Sequence, residues 1–200
     1  MSDETGLPDM FDPGKKALTG AAVLASGLPE LPDVLTREMS IPVAFWAAGR
    51  CAAVLFLEWD RGSLGGPPQP RVCLGTFSRD AAGWAAHRHW FGHGWAHDPV
   101  TDPDGWRYPG EGAVIAGGGS GVFSDVPVPG HPASVVTGSV TPAVAGLALI
   151  QAGREDRRDL QSHFGAWIVC TERPGPFQVS ALDATGAVIG SVDGPPRHQR

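Results

Sequence analysis

The run Ala52 to Trp59, AAVLFLEW, is apolar at odd and even positions alike. A strand with one wet face alternates apolar and polar side chains. A run apolar on both parities therefore belongs in the centre of a sheet covered on both faces. Ahead of it, Ile41 to Ala48 reads as a second strand, and Ala48-Gly49-Arg50 supplies a tight turn between the two. RGSLGGPPQP, 61–70, is a loop by every local signal, after which RVCLGTF resumes as a strand.

The rest of the chain is punctuated in the same way. With 28 glycines and 19 prolines in 200 residues, long uninterrupted helices have little room, and short strands joined by turns fit better. Two helical signals stand out. One is a short helix over Lys15 to Ser26. The other is helix-start chemistry in PELPDVLTREM, where Pro32 and Asp33 precede Val34, Leu35 and Met39. AVIA, 113–116, is a short strand, and the GGGSG after it reads as a turn or linker. VPVPGHP, 126–132, reads as a semi-rigid connector and a domain boundary. Beyond it, SVVTGSV, VAGLALIQA, FGAWIVC, FQVSALD and AVIGSV are five strand-like runs, with REDRRD as a solvated hairpin tip.

The expected fold is mainly β: an N-terminal antiparallel sheet lobe with a short helix, followed by a small β-sandwich-like module. Its organisation is a flexible leader over 1–27, a β-rich lobe over 28–125 with a Trp- and His-rich loop region, and the module over 134–194. Residues 134–193 resemble the transthyretin-like and carboxypeptidase-regulatory-like modules. The resemblance rests on Gly138, Val140 and Pro142, on Gly165 and Trp167, and on Ala181, Asp183 and Gly186. It implies a non-catalytic sandwich and carries no active site.

Charge and cysteine usage narrow the function. The net charge of −6 and the lack of a basic stripe argue against nucleic acid as a partner. Cys51, Cys73 and Cys170 are widely spaced in apolar runs, with no CxxC pair, which removes the common structural zinc frameworks. They read as reduced, buried thiols of a cytoplasmic protein. The apolar part of KKALTGAAVLASGLPE is preceded by more acids than bases and is too short to span a bilayer, so neither a signal peptide nor a membrane partner is expected.

One stretch carries the candidate chemistry. HRHWFGHGWAHD, residues 87–98, holds four of the seven histidines. On a strand from Gly83 to Phe91, alternation puts His87, His89 and Phe91 on one face. His87 and His89, with His93 or His97, are then candidate ligands for a divalent metal such as zinc. The pair His87 and His89 resembles the His-x-His of the first cupin motif. That motif's glutamate position is filled by His93, and its closing glycine and second half are missing. Gly-Trp also recurs at 83–84, 94–95 and 105–106. Trp84, Trp90, Trp95, Trp106 and Tyr108 are thus candidates for an aromatic ligand platform, against the alternative that they fill a core.

Glu58 and Asp60 share a strand face and are weighed as paired carboxylates, although such residues more often mark a strand's emergence into water. No G-x-S-x-G elbow or phosphate loop is present. The reading is a non-catalytic binding or interaction protein that needs no cofactor. Its partner would be a protein, peptide or small molecule, with apolar sheet edges available for self-association. The alternative is a metal-dependent enzyme built on the histidine cluster.

Overall fold

The computed structural model describes residues 13–60, 68–94, 98–101, 113–122 and 128–194; at residues 13, 60, 88–94 and 118–122 the description is of the backbone alone. The architecture is mainly β and antiparallel, with one helix, α1 (Pro13–Ser26), among the described residues. Strands β1 (Ile41–Ala48), β2 (Cys51–Asp60), β3 (Gln69–Asp80) and β4 (Gly83–Gly94) form one sheet in the order β1-β2-β3-β4. Strands β5 (Ile115–Val122), β6 (Ser134–Val140) and β9 (Ala166–Thr171) form a second, in the order β5-β6-β9. The third runs β11-β10-β7-β8, from β7 (Gly146–Gln151), β8 (Arg154–Asp159), β10 (Gln178–Leu182) and β11 (Val188–Asp193).

Strand β2 is covered on both faces, as its two apolar parities require. Cys51, Ala53, Leu55, Leu57 and Trp59 enter a core shared with the other two sheets, including Val135, Leu147, Trp167 and Val179. Ala52, Val54 and Phe56 enter a second cluster with Val23 of α1 and with Cys73 and Phe77 of β3. The helix is therefore the lid of the first sheet's outer face, with Lys16 and Val23 buried beneath it. Gly20 makes this close approach feasible, because a Cβ there would run into the Phe77 ring.

Four local readings are corrected. Residues 29–39 hold only bends and a turn, closed by the Met39 amide on Thr36 O. Leu35 and Met39 pack on the main core, so tertiary contact displaced a weak helical signal. GGGSG is no linker: it lies inside β5, paired with β6, and carries a register shift between Gly117 and Gly119. REDRRD is strand β8, and the hairpin tip is Ala152-Gly153, with φ of 50° and 74°. Left-handed geometry at both central residues suits the twist of a two-residue hairpin. That edge of the third sheet is consequently charged, not apolar, which guards it against pairing with another strand.

Strand β5 precedes the connector at 126–132 and pairs with β6, which follows it. The positions that carry the sandwich resemblance have structural roles. Gly138 faces Trp167, whose Nε1 donates to Ala116 O at 3.1 Å and to Ser139 O at 3.2 Å; a Cβ on Gly138 would stand 2.7 Å from that nitrogen. Asp183 closes the β10–β11 turn by accepting the Thr185 hydroxyl and the amides of Thr185 and Ala187. Those bonds, the hydroxyl's first, hold its carboxyl below the usual carboxylate range.

Candidate functional site

Strand β4 places the Trp- and His-rich stretch at a sheet edge and breaks its alternation. Gly75 pairs with Trp90 while Phe77 pairs with Ala86, so two steps on β3 face four on β4 and residues 87–89 bulge. Trp84 is half-buried and packs on the helix-facing cluster, with the Arg79 guanidinium 5.7 Å from its ring centroid. His87 stacks on His131, centroids 3.9 Å apart and planes at 22°. Imidazole lone pairs lie in the ring plane, so two nearly parallel stacked rings do not converge on one ion.

Among the described residues, no group of three or more His, Cys, Asp or Glu side chains is arranged to hold a metal. The side chains of His89, Trp90 and His93, and all of Trp95, His97, Trp106 and Tyr108, lie outside the described residues. His131, in the connector, was not read as a partner of this stretch. Only the fold brings it there.

Two polar knots serve the scaffold. Under α1, the buried Glu58 carboxylate meets Lys16 Nζ at 2.5 Å and Arg71 Nη2 at 3.6 Å. The Ser40 hydroxyl donates to it at 2.8 Å and the Cys73 thiol at 3.2 Å. Glu58 is thus engaged on all sides and not a solvated catalytic carboxylate. Burial pushes the Cys73 thiol up to about 12, with the Glu58 charge and hydrogen bond adding to the rise. A thiol held protonated in this way is a poor nucleophile.

The second knot is Asp98, which accepts Trp59 Nε1 at 2.8 Å, Arg37 Nη2 at 2.8 Å and Nε at 3.1 Å, and the Val100 amide at 3.1 Å. Burial raises its carboxyl, but the Trp59 and Arg37 hydrogen bonds outweigh that and leave it below the ordinary value.

A groove of about 680 Å³ runs between the β1–β2 turn, the β7–β8 hairpin and the segment after β9. Its apolar lining includes Ala48, Leu149, Pro174 and Pro176, and its polar lining includes Gln151, Arg154, Glu155, Asp156, Glu172 and Arg173. The Gln151 amide nitrogen donates to Arg173 O and Gly175 O, and the Thr171 hydroxyl to Arg173 O, which fixes the loop over the strand ends.

The three acids are already engaged. Glu155 accepts Arg157 Nε at 2.8 Å, Asp156 accepts Arg158 Nη2 at 2.6 Å, and Glu172 accepts the Arg50 amide. Arg154 and Arg173 make no ion pair among the described residues. The groove therefore offers an apolar floor and two arginines without a carboxylate partner among the described residues, beside a Glu172 charge that meets only a neutral amide. No protein-family model, curated protein or solved structure matches this chain. The groove is built from three segments distant in sequence, none of which carries a motif. The sequence signals were the Pro174 and Pro176 spacing and the charged 154–159 run, and the latter was read as a hairpin tip.

Proposed function

We propose that this chain is a non-catalytic binding protein, and that its ligand occupies the groove framed by Gly49, Gln151 and Pro174. The observation that carries the reading is the charge around the groove: Glu155 and Asp156 are paired with Arg157 and Arg158, the Glu172 charge meets only the neutral Arg50 amide, and Arg154 and Arg173 have no carboxylate partner among the described residues, which leaves a positive excess. A volume of about 680 Å³ falls within the range of small-molecule sites. The fitting ligand has an apolar body for Leu149 and the prolines and a carboxylate for the arginines. The compartment proposed is the cytoplasm, supported by three buried, unbridged cysteines; no helix among the described residues is long and apolar enough to cross a membrane.

Calorimetric titration with 2-naphthoate tests the reading. Saturable binding is expected, weakened about tenfold or more in an Arg154→Glu, Arg173→Glu double variant. Equal binding by the uncharged 2-naphthalenemethanol, or no heat with either compound, would overturn it.

A further inference from the structure

We infer that Cys51 and Cys170 are a redox-responsive pair, a dithiol at rest that closes to a disulfide between the first and second sheets when a low-molecular-weight disulfide reaches it. Their sulfurs lie 3.9 Å apart, both side chains are fully buried, and the residues are 119 positions apart in the chain. One opens β2 and the other is the fifth residue of β9, so the bond would join two sheets across their shared core. The pairing is specific. Cys73 is in the helix-facing cluster, on the opposite face of the first sheet, with its thiol on Glu58.

Access also has a structural basis. Cys51 follows the Gly49-Arg50 turn, which is fastened to the end of β9 by the Arg50 amide on the Glu172 carboxylate, two residues beyond Cys170. The turn is also tied to β3 by the Arg79 amide on Arg50 O, so uncovering Cys51 takes local fraying of the β2 end, where it pairs with Ala48 and Ser78. In the closed state the Cys170 thiol is pushed well up, first by its contact with Cys51 and then by burial, and the burial of both sulfurs shuts the oxidant out.

The chemistry balances with glutathione disulfide as oxidant. The Cys51 thiolate attacks one of its sulfurs and expels a glutathione thiolate. The Cys170 thiolate then attacks the Cys51 sulfur of the mixed disulfide and expels the second. The protein loses two electrons and two protons, and one glutathione disulfide becomes two glutathiones.

The native full chain is incubated with glutathione disulfide, quenched with iodoacetamide in denaturant and mapped by mass spectrometry. The expected product is lighter by two hydrogens before alkylation and carries a Cys51–Cys170 linked peptide with Cys73 alkylated. Its melting temperature lies above that of the reduced protein. Cys73→Ala should behave as wild type, and Glu172→Gln should speed the reaction by loosening the turn. Three alkylated cysteines, a stable glutathione adduct, or a bond that includes Cys73 would overturn the inference; the wild-type map decides this whether or not the variants fold.

Discussion

Replacing Glu58 by Leu should cost more stability than any exposed charge in this chain. Its carboxylate is 5% exposed, and Lys16 Nζ, 8% exposed, lies 2.5 Å away. Removing the acid breaks this buried ion pair from one side, a loss of about 3–5 kcal/mol. Against a total stability of about 5–15 kcal/mol for a domain, that is a large fraction. Lys16→Met alone should cost less, because Arg71 and Ser40 continue to serve the carboxylate.

In the double variant neither charge is left facing the other. The double variant should therefore be more stable than the two single losses sum to, with a coupling of about 2–3 kcal/mol. Urea denaturation of the four proteins measures it. Additivity within about 0.5 kcal/mol would refute the argument. So would a Glu58→Leu cost under about 1 kcal/mol, the scale of a solvated surface pair.

Three further outcomes follow from the geometry. Asp98→Asn should lower stability at neutral pH by about 1–2 kcal/mol through weaker bonds to Trp59 and Arg37. Because the folded carboxyl is depressed, the contribution is present above the ordinary value of about 3.9 and is lost as pH falls through the lower folded value. The gap between wild type and variant in urea melts should therefore close in acid; a gap that widens there contradicts the assignment. Gly138→Ala should cost about 1–3 kcal/mol or more, because its Cβ would run into the Ala116 carbonyl oxygen of the paired strand as well as the Trp167 indole, and an unchanged melting temperature would remove that close approach from the account. Ala152→Gly should gain up to about 1 kcal/mol by relieving left-handed backbone at the β7–β8 tip, provided β8 pairs as described; a loss in urea melts would dispute the turn.

What was legible in the sequence was what one strand's own side chains decide. The two parities of β2 fixed its central place, and the Gly49 turn followed from local chemistry, with φ of 59°. β4 was readable as a strand, but its bulge was not, since no residue in 87–89 announces a break in pairing with β3. β8 escaped because six consecutive charges look like solvent even when they form an edge strand, where solvent is indeed one neighbour. GGGSG escaped because glycine has low strand propensity, and its pairing with β6 depends on a partner strand remote in the chain. The groove was invisible for the same reason: Gly49, Gln151 and Glu172 become neighbours only when three sheets share a core.

Amide shifts recorded while 2-naphthoate is titrated into the labelled protein bear most directly on the claim that binding belongs to the groove. The account predicts saturable shifts at Gly49, Gln151, Ala152, Glu172 and Gly175, with β4 unmoved. Shifts centred on His87, Trp90 and His93 that leave those five amides in place would contradict it.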